Sequence, residues 1–466
     1  MEQPEKPRSR LYAFDPLVRK LPEVTVPKRH VSFKEKFMWT GIALLAFFVL
    51  TQVPLYGMAA GAGRVPFFGQ LRFILASHGG SLMELGIGPI VTAGIIMQLL
   101  AGSKIIGLNL SQSEDRALFT GIQKIGAMLM GVFQASMLVM GGVYGVALSS
   151  AEGIFIVAQL AIAVIIVIYL DEMVSKFGFG SGISLFIVAG VSMTIFSQAF
   201  NPIATTETGG EIPGAIPNLI KTLIVGGNIS DAFTRSWPLP NMMGVFATIL
   251  IFFIVVYIES MRIEIPLAYG RFGGLRGRYP IKFMYTSVIP VILAMVVFAN
   301  IGILARFTGL SFLGTYNASG SLTGGLAYYL NAPNGIFAVA NNPLHAVFYI
   351  SVLVLLCMGF ASLWVNMTGM GPRNVAEQLD RSGMLIPGFR RDIRVMERVL
   401  SRYITGVTLI GGATVGALSA GADFMGALGS GTGILLTVSI MYSLYQEIAR
   451  ERMAEMFPAV RRFFGG

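Results

Sequence analysis

Few side chains in this sequence could carry chemistry, and their spacing assembles none. Five carboxylates, Glu84, Glu152, Asp171, Glu172 and Glu259, fall near the ends of long apolar runs, and Asp423 lies in a short turn. Ionisable groups deep inside a bilayer usually mark ion or proton pathways. At the edges of apolar runs the first five read instead as interfacial charges. His30, His78 and His345 are scattered without metal-ligand spacing, and the single cysteine, Cys357, excludes an internal disulfide framework. No HExxH, GxSxG or GxxxxGK[ST] pattern occurs, and no nucleophile stands beside a base. The glycines of GSGTG at 429–433 could cradle a phosphate, but no strand precedes them and they open an apolar run. They read as span-entry or close-packing glycines. No metal, cofactor or catalytic site follows from this set.

The chain is organised around residues 81–102, SLMELGIGPIVTAGIIMQLLAG. A bilayer crossing takes about 20 apolar residues, and this stretch is long enough. It also carries Gly86, Gly88, Pro89 and Gly94, which a plain lipid anchor does not need. Small residues let another backbone approach, and Pro89 removes one helical hydrogen bond. Ile87, Val91 and Ile95 recur every fourth residue and share one branched apolar face. Two readings stand: a helix packed inside a bundle, or one that lines a path and moves against a neighbour.

The 466 residues are 54% hydrophobic and only 12% charged, against about 25% charged in soluble domains. Mean hydropathy is +0.70. The chain is therefore a polytopic membrane protein. Backbone polar groups in hydrocarbon must be satisfied internally, and apolar runs without strict alternation select helices over a barrel. A basic, proline-containing tail spans 1–36, too long for the start of a cleaved signal. Within it Ser32-Phe33-Lys34-Glu35 predicts a capping box that starts a short amphipathic helix leading into the membrane. Ten spans are expected, at 37–56, 82–102, 121–146, 152–171, 182–201, 240–260, 283–305, 344–366, 403–422 and 431–450. With this alternation 29 of the 34 lysines and arginines fall on one side. The positive-inside bias puts both termini, including the tail 451–466, in the cytoplasm.

Ten spans divide into five and five, 37–201 and 240–450, joined by an external connection at 202–239. An odd number per half inverts the second half in the membrane, as in inverted repeats. Sequence identity between the halves is not convincing, so the inversion is read from span count alone. The outer segment 57–81 holds VPFFGQLRFILA, apolar but too short to span. Two cytoplasmic connections, 262–282 and 367–402, are long and basic. Loops above about 12–15 residues are usually functional or disordered.

Six stretches resemble the SecY family, the large subunit of the protein-conducting Sec channel. They are LGIGPIVTAGIIMQLLAG (85–102), EDRALFTGIQK (114–124), IYLDEMVSKFGFGSGISLFI (168–187), MRIEIPLAYGR (261–271), YPIKFMYTSVIPVILA (279–294) and GALGSGTGILLTVSIMY (426–442). Their wording is closer to the archaeal and eukaryotic branch. The resemblance implies an all-α fold of ten transmembrane helices in two inverted five-helix halves around a central pore. It implies a pore ring at Ile87, Val91, Ile183, Ile187, Ile292 and Leu436. An apolar constriction dewets and blocks ions while offering a passing chain no strong binding site. A plug is implied at about 64–76, with Arg64, Val65, Phe67, Phe68 and Leu71. An interfacial helix is the alternative there. A lateral gate is implied at Thr92, Gln134 and Asn300.

The basic loops resemble ribosome-docking loops, through Arg271, Arg276 and Arg278 in the first and Arg390, Arg391 and Arg394 in the second. The positive-inside signal alone explains their sidedness, but not seven basic residues between 373 and 402. Arginine–phosphate contact with ribosomal RNA is a natural use. The resemblance further implies SecE/gamma-like and beta-like small membrane subunits, a translating ribosome as the energy source, and signal sequences, nascent polypeptides and membrane lipids as contacts. The expected function is conduction of unfolded polypeptide across the cell (plasma) membrane, with sideways release of apolar segments and no enzymatic step. The competing reading is an inverted-repeat secondary transporter of small solutes, which needs a midplane coupling-ion site that this sequence lacks. An intramembrane enzyme needs a catalytic pair, which is also missing.

Overall fold

The capping box forms. In the computed structural model of the chain, Ser32 Oγ accepts from Glu35 N at 3.4 Å and Glu35 Oε2 accepts from Ser32 N at 3.2 Å. It opens the first long helix directly, α1 (Phe33–Gln52), instead of a separate short one. The structure describes residues 10–29, 31–59, 75–102, 106–108, 112–203, 211–235, 239–269, 276–317, 322–381, 384–385 and 392–456.

Nine further long helices follow: α2 (Gly88–Gly102), α3 (Ser113–Met140), α4 (Ala151–Phe177), α5 (Gly182–Phe200), α6 (Met242–Ser260), α7 (Ile289–Thr308), α8 (Pro343–Met367), α9 (Ile393–Phe424) and α10 (Gly431–Met456). Each answers one predicted span. Seven of them, α3 to α9, are long and apolar enough to cross a membrane by themselves. The other three fall short for visible reasons. α1 begins with Lys34, Glu35 and Lys36, the last third of α10 is charged, and α2 has only 15 residues.

The short α2 corrects the predicted span 82–102. Residues 81–87 form a turn ahead of the helix, because Gly86 takes φ +52° and sits against the Leu75 carbonyl. The predicted outer connection 202–239 also holds a helix, Ala215–Val225.

The helices belong to two compact units, 1–193 with 296–328 and 440–466, and 194–295 with 329–439. In the first unit glycines set the helix spacing. A Cβ on Gly131 would lie 3.2 Å from the Val164 side chain, and Gly126 faces Ala93 Cβ at 3.5 Å, so α3 approaches α4 and α2 closely. The N-terminal segment, expected as a tail, is tied across α3 and α4. Tyr12 donates to Asp115 at 2.5 Å, Glu23 pairs with Lys124 at 3.2 Å, and Lys176 donates to the Val24 carbonyl.

In the second unit α8 packs on α9 through Gly412, facing the Cys357 carbonyl, and Gly416, facing Val354. The two basic connections, expected as loops, share a sheet. Strand β1 (Arg262–Tyr269) pairs antiparallel with β2 (Arg276–Lys282) and, at its far end, with β5 (Met384–Leu385). A separate two-stranded sheet, β3 (Thr315–Tyr316) with β4 (Leu322–Gly324), lies in the first unit. Beneath β1, a small core joins Ile265 and Ile281 to Val375, Leu379, Met396 and Leu400. The helix Pro372–Arg381 supplies Val375 and Leu379 to this core. At its edge Tyr285 donates to the Met370 carbonyl at 2.9 Å.

Candidate functional site

The sequence LGIGP builds the entry to α2 from backbone contacts. Ile87 N donates to the Leu75 carbonyl at 2.8 Å and His78 N to the Met83 carbonyl at 2.9 Å. Glu84 accepts from Gly80 N, and its own carbonyl accepts from Ser77 Oγ. The interfacial reading of Glu84 is thereby corrected: it is buried and holds a turn. Ile87 ends this turn, and its carbonyl accepts from Val91 N at 3.1 Å, so the two residues stand one helical turn apart.

Of the six residues expected in a ring, Ile87, Ile187 and Leu436 are fully buried. Val91, Ile183 and Ile292 are half-buried. Ile87, Val91, Ile183 and Ile187 belong to the first unit, and Ile292 and Leu436 to the second. Beside Ile187, Phe186 stacks on Phe47 of α1 with ring centroids 5.0 Å apart.

One turn into α2, three neutral side chains from three helices of the first unit meet. Gln134 Nε2 of α3 donates to Asn300 Oδ1 of α7 at 3.0 Å and to Thr92 Oγ1 of α2 at 3.4 Å. Asn300 Nδ2 donates to Thr92 Oγ1 at 3.1 Å. Thr92 and Gln134 are buried, and Asn300 is half-buried. Thr92 also donates to the Gly88 carbonyl at 2.8 Å, and Asn300 to the Val296 carbonyl at 2.8 Å. These two bonds run back onto the residues' own helices, whereas Gln134 bonds only within the cluster. Interhelical side-chain bonds of this kind are worth only about 0.6 kcal/mol each.

A second tie between α3 and α7 was not foreseen. Arg306 Nε donates to the Gly141 carbonyl at the C-terminal end of α3, at 3.1 Å. Its guanidinium lies 5.0 Å from the Tyr316 ring centroid. A cation at exposed helix carbonyls is favourable. The sequence signal was modest: Arg306 is the single basic residue of its predicted outer loop.

Of the arginines expected to dock a polyanion, Arg276 opens β2. Arg278 on β2 pairs with Glu264 on β1 and stays exposed. Arg394 is exposed in the first turn of α9, behind the Asp392 cap. Arg271, Arg390 and Arg391, and the plug residues Arg64, Val65, Phe67, Phe68 and Leu71, lie outside the described residues. The other carboxylates expected at interfaces are mostly inside. Glu172 pairs with Lys124 at 3.0 Å and Lys176 at 2.6 Å, and Glu259 is 3% exposed. Only Glu152 is exposed. Lysines of α3 and α4 give Glu172 the partners that water was expected to supply, while Glu259 Oε2 accepts no hydrogen bond among the described residues. Among the described residues no group of three or more His, Cys, Asp and Glu could hold a metal ion.

Comparison with known proteins identifies the family. The SecY family model matches residues 81–445, and that of the plug domain of Sec61p matches 45–80. The protein translocase subunit SecY of Pyrococcus horikoshii is 47% identical, with 98% of this chain and 99% of that protein covered. That of Methanocaldococcus jannaschii is 43% identical, with 96% and 98% covered. A solved protein-conducting channel superposes with a TM-score of 0.82 at 43% identity, covering 96% of this chain and 99% of that one. Sec61 in the canine ribosome–channel complex from the endoplasmic reticulum gives 0.79 at 42% identity, over 96% and 99%. Fold and matches define a multi-pass membrane channel subunit without catalytic chemistry. The chain belongs to the SecY family.

Proposed function

We propose that this chain conducts unfolded polypeptides across the cell membrane and releases apolar segments sideways into lipid. The observation that carries this reading is the neutral seam of Thr92, Gln134 and Asn300, which joins three helices by side-chain bonds alone. A signal sequence entering there exchanges weak amide bonds for apolar contact with lipid. Ile87, Val91, Ile183, Ile187, Ile292 and Leu436 act as the apolar ring that blocks ions at rest. Arg64, Val65, Phe67, Phe68 and Leu71 belong to a plug at about 64–76. The ring and plug assignments rest on the family resemblance and on side-chain chemistry. Residues 37–201 and 240–450 form the two inverted halves. The lysine and arginine asymmetry supports cytoplasmic termini.

The shared β-sheet and its arginines favour a polyanionic partner on that side. The canine and yeast relatives are described on ribosomes, and a translating ribosome fits Arg271, Arg276, Arg278, Arg390, Arg391 and Arg394. SecE/gamma-like and beta-like small subunits complete the complex.

The test is protease protection of a signal-bearing unfolded chain in vesicles holding the reconstituted complex. Protected product is expected, with no counterflow of small solutes. Solute counterflow without protected polypeptide would establish the secondary transporter instead. Reversing Arg390 and Arg391 to Glu should weaken ribosome binding, and wild-type binding should fall steeply with salt. Salt-independent binding that ignores the reversal would remove the docking assignment.

A further inference from the structure

The two helix entries rich in glycine repeat one another. GSGISLFI at 180–187 and GSGTGILL at 429–436 align without a gap. Gly180 and Gly429 occupy equivalent places and have φ of +68° and +71°. Ile187 and Leu436, both in the proposed ring, also fall at equivalent places. The hydrogen bonds repeat as well. In the first unit Gly180 N donates to Glu447 Oε1 at 3.1 Å. In the second, Gly429 N donates to Gln198 Oε1 at 2.8 Å. The same offset of residue number that carries Gly180 to Gly429 carries Gln198 to Glu447.

Each entry also receives a carboxylate from the helix before it. Asp171, on α4, accepts from Ile183 N at 2.9 Å and from Ser181 Oγ at 3.3 Å. Asp423, at the end of α9, accepts from Gly431 N at 2.6 Å and from the buried Tyr349 hydroxyl at 3.3 Å. Neighbouring glycines allow this approach. A Cβ on Gly182 would lie 2.5 Å from Asp171 Cα, and one on Gly431 2.4 Å from Asp423 N. The first N–H groups of a helix have no partner within it, and a side-chain oxygen from outside fixes the position of its first turn.

We propose that Asp171 and Asp423, with Glu447 and Gln198, are positioning residues for the ion seal. They fix the first turns of α5 and α10 and so set where Ile183, Ile187 and Leu436 stand. This rests on the ring proposed above. Asp171 and Asp423 sit behind helix entries and touch no passing chain. Their effect is transmitted through the backbone N–H groups they hold.

The experiment uses the reconstituted complex in planar bilayers, recording resting ion conductance of channels that assemble at wild-type yield. Replacing both Asp171 and Asp423 by Ala should raise the conducting fraction by about tenfold or more, since a small bias shifts a two-state population several-fold. Asp171→Asn with Asp423→Asn should stay as silent as wild type, because the amide Oδ1 still accepts. If the alanine pair does not assemble, Gln198→Ala with Glu447→Ala gives the same readout at less buried positions. Conductance equal in the Asn and Ala pairs would overturn the proposal. So would silence of every Ala variant alongside a conducting Ile187→Ser, Leu436→Ser control. Silence of that control would instead strike the ring assignment itself.

Discussion

The entry of one short helix and its next turn are held in opposite ways. At its entry α2 is locked by backbone: Ile87 N on the Leu75 carbonyl, Gly86 at φ +52°, and Glu84 folded back on Gly80. One turn later it is held to α3 and α7 by three side-chain bonds between 3.0 and 3.4 Å. Backbone interlock has a single geometry and tolerates no added atom. In the seam of a hydroxyl and two amides, Thr92 and Asn300 each have a second acceptor on their own helix. The difference separates a part of α2 fixed through backbone geometry from a part held through side chains.

The sharpest way to break the contrast is at the anchor. Gly86→Ala places a Cβ 2.0 Å from the Leu75 carbonyl oxygen, at a left-handed backbone position. A loss above about 3 kcal/mol is expected, seen as collapse of assembled yield and of melting temperature in detergent. Gly41→Ala, where nothing lies within 4 Å, should leave both unchanged. A tolerated Gly86→Ala would show that the anchor is soft.

Next in size, Glu84→Ala removes the acceptor for Gly80 N and should cost about 1–3 kcal/mol. Glu84→Gln, which keeps an acceptor, should recover most of it in the same melts. Equal melts for the two variants would assign Glu84 no part in the lock.

The smallest energetic effect belongs to the seam, and it should appear in function. Each bond there is worth about 0.6 kcal/mol and leucine packing offsets the loss, so Thr92→Leu, Gln134→Leu and Asn300→Leu together should barely alter the melt. Apolar packing should favour the closed state, and weakly hydrophobic signal sequences should suffer most. Translocation of signals graded in hydrophobicity checks this. A uniform loss across the series would mean general damage, and no loss would take these residues out of the gate.

Much of this fold is legible from the chain alone, for local reasons. Apolar run length located the ten long helices, and Ser32 with Glu35 marked the start of α1, because both signals are local in sequence. The meeting of Thr92, Gln134 and Asn300 came from family resemblance, since nothing local in three distant residues brings them together. What stayed hidden depends on long-range partners. Gly86 reads as a packing glycine until Leu75 is seen against it. β5 is two residues long and carries no strand pattern, so its pairing with Ala268 and Tyr269 is written only in the tertiary structure. Asp171 reads as an interfacial charge and Asp423 as a turn residue because the N–H groups they serve lie 12 and 8 residues ahead. The match of GSGISLFI to GSGTGILL was in plain view, but short glycine strings are common and become meaningful only with Gln198 and Glu447 placed beside them.

The pairing of β5 with β1 has a consequence for any ligand that touches both basic connections. Two separate loops would each be captured independently, and each would lose its own freedom on contact. Joined through Ala268–Leu385 and Tyr269–Met384, they present themselves as one host with two arms. Once the first arm engages, the second finds the ligand at a high effective concentration, so avidity exceeds what either arm achieves alone. A two-residue strand thus makes two modest contacts cooperative.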